Sequence, residues 1–283
     1  MSSNIKGSLW MLGGVFALAS MAIAGKEISL QIDTFEIMFF RSCIGFTIVF
    51  FTLFKRKELK KIKLTYFKNH LKRNLAHFTG QNLWFYSLAT ITLAEVTALE
   101  FTMPIWIMFF SYLMLNEELT KYKIISAVIG FIGVLVLVRP EIQNFSFGLL
   151  AASLAAIAFA LTNIYTRKLT KSETTLTILF FLTIIQMVFG LLTSLIDGSL
   201  DLPSSENILW IVVIGFAGVT AHFCITTALS FASPTVVAPI DLLRLPLVVA
   251  IGIVFYSEPS DLLILIGTLI ILYANWLNIT KTK

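Results

Sequence analysis

Apolar runs long enough to cross a bilayer as helices recur along the whole 283-residue chain, separated for the most part by short polar turns. About twenty such residues make one helical crossing, and their spacing predicts spans at 7–25, 35–54, 74–93, 94–115, 122–138, 145–166, 175–196, 208–230, 234–257 and 262–278. The period-two alternation of barrel strands is absent. The pattern therefore predicts an all-α integral membrane protein with ten transmembrane helices. Only one connection, 55–73, is long, which leaves no room for an appended soluble domain.

The second half of this pattern repeats the first at an offset of 141 residues without a gap. Gly7 falls on Gly148, Ala17 on Ala158, Lys26 on Arg167, Phe39 and Phe40 on Phe180 and Phe181, Glu100 on Asp241, and Glu117 on Glu258. The chain thus divides at 1–141 and 142–283, with five helices in each half. Because five is odd, the second half enters the membrane in the opposite sense to the first. Inverted repeats of this kind let one central site face either side as the two halves exchange conformations. The repeat also argues that the first helix is retained, although Lys6, the apolar run and Ala22-Ile23-Ala24 have the form of a signal peptide. Residues 7–26 match 148–167 in mid-chain.

Composition agrees with the pattern. Hydrophobic residues make up 57% of the chain and charged residues 13%, and the mean hydropathy is +0.88, outside the range of ordinary soluble domains. With the N-terminus inside, seventeen of the twenty-one Lys and Arg are cytoplasmic, nine of them in the 55–73 connection. Lys26 and Arg139 fall outside, and Arg41 and Arg244 fall within the membrane. The positive-inside rule then places both termini in the cytoplasm. The basic balance, with a pI near 9.2, is accounted for by topology and anionic lipid headgroups, with no need for nucleic acid. Cys43 and Cys224 lie inside predicted helices and read as packing residues.

Charges inside the membrane carry the candidate chemistry. A charge at the bilayer centre costs roughly 2.5–3.5 kcal/mol on insertion scales, so an acid at matching depth in each half calls for a reason. Glu100 and Asp241 read either as a substrate or proton site or as counter-ions for Arg41 and Arg244. Asp241 and Arg244 stand three apart on one helical face, a spacing that suits an internal pair. Arg41 sits near the start of its helix, where snorkelling or structural pairing is expected. Pro104 follows Glu100, and Pro239 and Pro246 bracket Asp241 and Arg244, so the acid-bearing helices are expected to be interrupted, the mark of a central transport site. His77, Gln81 and Trp84 share a face, Gln81 is the equivalent of His222, and His222 shares a face with Thr226. Asn163 and Tyr86 add hydrogen-bonding capacity. Phosphate loops, dinucleotide glycine patterns, metal-spaced Cys or His clusters and nucleophile elbows are missing, so neither an enzyme nor a cofactor is expected. The glycine pairs Gly13-Gly14 and Gly130 with Gly133 are expected to allow close helix packing.

The run Phe35-Glu36-Ile37-Met38-Phe39-Phe40-Arg41 resembles the Arg-bearing second helix of the EamA family in the drug/metabolite transporter superfamily. Two further pairs of runs are similar to that family: Ala98-Leu99-Glu100-Phe101-Thr102-Met103-Pro104 with Asn116-Glu117-Glu118-Leu119-Thr120, and Ala238-Pro239-Ile240-Asp241-Leu242-Leu243-Arg244 with Ser257-Glu258-Pro259-Ser260-Asp261. The resemblance covers the whole chain. It implies two five-helix repeats, a cavity between them and movement of small metabolites by alternating access, with members serving amino acids, S-adenosylmethionine, riboflavin and other solutes. Glu117 and Glu258 match family pattern positions, and their places beside Thr120 and Ser260 suit a structural role at helix starts.

The expectation is a secondary transporter of a small polar metabolite. Arg41 and Arg244 would attract a carboxylate, and Glu100 or Asp241 an amine or a coupling proton. Amino acids lead. S-adenosylmethionine-like or riboflavin-like nitrogenous metabolites come next, with Trp84 and Tyr86 offering cation–π faces. The expected partners are the substrate and membrane lipid, and pairing with a second copy as a homodimer is left open. A passive channel or an intramembrane enzyme would be separated from a carrier by the lack of counter-flow or by turnover of a ligand.

Overall fold

The structure is a computed structural model that describes residues 2–28, 31–91, 93–138, 146–196, 202–247, 250–251 and 262–281. Arg139, Ser257, Glu258, Pro259, Ser260, Asp261 and Lys283 lie outside the described residues, as do 248–249 and 252–257 of the 234–257 span. Every regular element among the described residues is helical. The order is α1 (Ser3–Ile28), α2 (Thr34–Lys55), a 3₁₀ turn (Leu59–Lys61), α3 (Phe67–Thr90), α4 (Leu93–Glu100), α5 (Met103–Leu115), α6 (Lys121–Val138), α7 (Phe147–Leu169), α8 (Thr175–Ser194), α9 (Ile208–Phe231), α10 (Pro234–Val237) leading into a 3₁₀ segment (Ala238–Leu243), and α11 (Leu262–Lys281). Among the described residues, seven segments are long and apolar enough to cross a membrane: α1, α2, α5 with the end of α4, α7, α8, α9 and α11. This is a multi-pass membrane fold, and seven of the ten expected spans meet that measure.

Helix starts follow local chemistry. Asp33 accepts from Phe35 N at 2.7 Å ahead of α2, Ser146 from Leu149 N at 3.2 Å ahead of α7, and Thr174 from Thr177 N at 3.2 Å ahead of α8. Each satisfies a backbone donor that the first helical turn leaves free. Asn116 ends α5 in the left-handed region with φ of 52°, a conformation that asparagine tolerates.

The closest packing runs between the halves. α1 lies along α9, α3 along α7, α2 along α8 and α6 along α11. Adding 141 to every residue number turns the α1–α9 pair into α7–α3 and returns the other two pairs to themselves. The exchange holds at the level of single contacts. A Cβ on Gly7 would lie 2.7 Å from Ala232 Cβ, and one on Gly148 would lie 2.7 Å from Ile91 Cγ2. Gly7 and Gly148 are repeat equivalents, and so are Ala232 and Ile91. The absent side chains let each helix end close on the opposite half, as small residues do between membrane helices.

α3 corrects the span expected at 74–93. It begins at Phe67, and its early turns bury His70, Arg73 and Asn74 against the second half. Gln186 of α8 donates to Asn74 O at 2.8 Å and to Asn74 Oδ1 at 3.2 Å. Hydropathy alone cannot separate a polar buried face from a loop, which is why His70 and Arg73 read as part of a solvated connection. Arg73, 1% exposed, therefore belongs to the bundle and not to the solvated cytoplasmic charges. Of the two readings open for Arg41, the structure agrees with pairing inside the bundle: the residue is 6% exposed and donates to Gln81 Oε1.

Candidate functional site

Both acid-bearing helices are broken where the acids stand. Glu100 is the last residue of α4, and the chain turns through Phe101 and Thr102 before α5 begins at Met103. Thr102 N and Oγ1 donate to Leu99 O at 3.1 and 2.7 Å, tightening the break. Pro104 has no N–H for the carbonyl of Glu100, four residues before it. Asp241 lies in the 3₁₀ segment after α10. There Pro239 leaves the carbonyl of Thr235 without its helical donor, and Asn278 Nδ2 reaches that carbonyl at 3.4 Å and that of Val236 at 3.2 Å.

The two breaks bring their acids to one guanidinium. Arg244 Nη2 lies 2.5 Å from Glu100 Oε1 and 3.1 Å from Asp241 Oδ2. Trp84 Nε1 donates to Glu100 Oε2 at 2.9 Å, and the Arg244 Cζ stands 5.2 Å from the Phe101 ring centroid. Glu100, Asp241 and Arg244 are 8%, 3% and 6% exposed, so the carboxylates cannot rely on water. Two carboxylates around one guanidinium leave a formal charge of −1, and Asp241 Oδ1 has no partner among the described residues.

The triad opens onto a cavity between the halves, walled by α1, α3, α7, α9 and the two breaks. Arg73, His77, Gln81 and Trp84 line it from α3 at intervals of four, four and three, which is one helical face. Arg73 donates to Thr166 Oγ1 at 3.3 Å, Asn74 Oδ1 at 3.1 Å and His222 Nδ1 at 3.5 Å. His222 therefore carries its proton on Nε2 when neutral. The His77 and His222 rings meet edge to face at 4.6 Å, and neither His77 nitrogen has a partner among the described residues. Arg41 donates to Gln81 Oε1 from behind the wall and reaches Met21 Sδ at 3.8 Å. The described residues contain no group of three or more His, Cys, Asp or Glu placed to hold a metal.

Of the residues expected at the site, Glu100, Asp241, Arg244, Trp84, Gln81, His77, His222 and Asn163 line this one cavity. Asn163 Nδ2 is held by Phe159 O at 3.0 Å. Tyr86 does not join them. It lies two residues beyond Trp84, about 200° round the helix, and is 47% exposed on the outer face. Arg41 stands behind Gln81. Arg73 was missed, although the periodicity that joins it to His77, Gln81 and Trp84 was present in the sequence. Glu117 ties the halves together away from the cavity, accepting from Thr235 Oγ1 at 3.0 Å, while Thr120 accepts from Lys123 N at 3.4 Å at the start of α6.

Two broken helices meeting at a buried charged cavity agree with what the known sequences show. The pattern of the EamA-like transporter family matches residues 5–139 and again 146–280. The chain belongs to this family. It is a membrane transporter of two-repeat fold. The S-adenosylmethionine uptake transporter of Rickettsia felis is 25% identical over 284 residues, covering 100% of this chain and 95% of the relative. The riboflavin transporter of Brucella anthropi is 30% identical over 74% of this chain and 75% of its own length, and that of Vibrio cholerae is 26% identical over 99% and 95%. A solved protein structure superimposes with a TM-score of 0.81 at 15% identity over 96% of this chain and 95% of its own, which shows the fold.

Proposed function

We propose that this EamA-like transporter is a bacterial inner-membrane secondary carrier for a metabolite with a cationic centre, S-adenosylmethionine or a close analogue being the first choice. Ten spans in two inverted repeats, 1–141 and 142–283, with both termini cytoplasmic, would let the cavity face each side in turn. The observation that carries the reading is the surplus carboxylate of the Glu100–Arg244–Asp241 triad, buried at two helix breaks. Uncompensated charge at this depth is costly, and a cation supplied by the substrate, or a proton, relieves it. The Trp84 indole beside it adds a face for a cation.

Relatives that span nearly the whole chain are named for S-adenosylmethionine and for riboflavin. A sulfonium meets the surplus negative charge, and a neutral flavin does not. This places the sulfonium ahead of riboflavin and of the amino acids favoured by sequence alone. The test is counter-flow in proteoliposomes. Labelled S-adenosylmethionine is expected to enter saturably and faster when unlabelled compound is loaded inside, with excess riboflavin or alanine competing poorly. Equal rates with and without internal substrate would remove the carrier mechanism, and uptake of riboflavin alone would remove the cationic substrate.

A further inference from the structure

The cavity has a second pole that the triad does not explain. Arg73 is 1% exposed and lines the cavity, a guanidinium stays charged in proteins, and among the described residues no ion pair includes it. Its partners Thr166, Asn74 and His222 are neutral acceptors. Arg41, also 6% exposed, adds a second positive charge close enough to repel the first, and its own acceptors are an amide oxygen and a thioether. Two buried like charges without a counter-charge among the described residues are retained at a cost in stability. His77, one turn along from Arg73, adds a buried imidazole with no partner at either nitrogen among the described residues.

We propose that Arg73 is an anion-binding residue that takes the carboxylate of the transported metabolite, with Arg41 reinforcing the positive potential from behind Gln81. A guanidinium has five N–H donors. Three go to the neutral acceptors, through Nε, Nη1 and Nη2, and five less three leaves one on each terminal nitrogen. That fork suits the two oxygens of one carboxylate. Arg73 and Trp84 are eleven residues apart on α3, about 16 Å along the axis at 1.5 Å per residue, with Glu100 bonded to Trp84 at the far end. In a free α-amino acid the carboxylate and ammonium are adjacent and cannot occupy both poles. A molecule with a second cationic centre several bonds from its carboxylate, as the sulfonium of S-adenosylmethionine is, can, because the Arg73, Trp84 and Glu100 side chains that line the cavity take up the rest of the span between the helix positions. The substrate class is therefore an elongated zwitterion, and this part of the inference rests on the proposed transport function.

Two pairs of probes separate the anion site from the choice of substrate. Sodium benzoate and benzamide have the same shape and differ in charge. On the purified full-length protein, benzoate is expected to raise the melting temperature more than benzamide does, and the difference is expected to vanish in Arg73→Gln and to persist in Arg73→Lys. Equal shifts by the two probes on the wild-type protein would overturn the anion site, and that comparison needs no variant to fold. In the second pair, decarboxylated S-adenosylmethionine is expected to bind at least tenfold more weakly than S-adenosylmethionine to wild type and equally to Arg73→Gln. Benzoate selectivity without any S-adenosylmethionine binding would support the anion site and reject the proposed substrate. Equal binding of both sulfonium compounds to wild type would overturn Arg73 as the substrate's carboxylate site.

Discussion

At the scale of single residues, the triad predicts opposite outcomes for its acid and its base. Glu100→Gln leaves Arg244 paired one-to-one with Asp241, and the amide oxygen still accepts from Trp84. Asp241→Asn likewise leaves Arg244 with Glu100. Both variants are therefore expected to fold, with size-exclusion profiles like wild type, while at least one loses uptake and counter-flow in proteoliposomes. Wild-type transport by both across pH 5 to 8 would reduce the acids to packing counter-ions. Arg244→Ala instead strands two carboxylates that are 8% and 3% exposed. Removing one partner of a buried pair costs about 3–5 kcal/mol, so folded yield is expected to fall sharply, read by fluorescence-detected size exclusion. Normal yield with full transport would show that the guanidinium does not hold the acids. These three residues were legible in the sequence because a charge in an apolar run is conspicuous. Arg73 was not, because it follows a run of lysines and looked like the end of a loop. Tyr86 has a suitable residue type but falls on the opposite face of α3 from Trp84, which residue type alone does not reveal.

At the scale of elements, the breaks were legible and their bounds were not. The prolines marked the right helices, yet they do not occupy equivalent positions: Pro104 corresponds to Leu245, and Pro239 to Ala98. What the repeat preserves is the acid at the break, Glu100 against Asp241. Close approach between helices was legible as glycine, and one contact gives a direct test. A Cβ on Gly190 of α8 would lie 2.8 Å from Phe39 N and 2.9 Å from Phe39 Cα of α2. These are backbone atoms, so neither helix can yield by a rotamer change. Overpacking costs typically about 1–3 kcal/mol, against roughly 0.8–1.0 kcal/mol gained in helix propensity. Gly190→Ala is accordingly expected to lower the melting temperature of the purified protein, and Gly190→Leu to lower it further. An unchanged melting temperature for Gly190→Leu would mean that α2 and α8 do not meet this closely.

At the scale of the whole molecule, the pseudo-symmetry of contacts is broken by charge, and the break suggests where motion can be arrested. His70 at the start of α3 lies 2.5 Å, Nε2 to Oε2, from Glu173 in the turn between α7 and α8, with the two side chains 0% and 8% exposed. This contact joins the halves one turn from Arg73. Its repeat equivalents are Ile211 and Ile32, which belong to the same apolar cluster with Ile37, Phe78 and Phe85. One end of the bundle is thus tied by a polar contact and the equivalent place at the other by apolar packing. If the halves rock about the cavity, each tie must open in turn. In a Cys43→Ser, Cys224→Ser background, a short thiol-reactive cross-linker between His70→Cys and Glu173→Cys is expected to stop counter-flow, and reductive cleavage to restore it. Because both residues lie at the end predicted to be cytoplasmic, a membrane-impermeant cross-linker added to intact cells should fail, while the same reagent should succeed on inside-out vesicles. Undiminished transport with the link in place would refute rocking at this end, and reaction from outside the cell would refute the orientation.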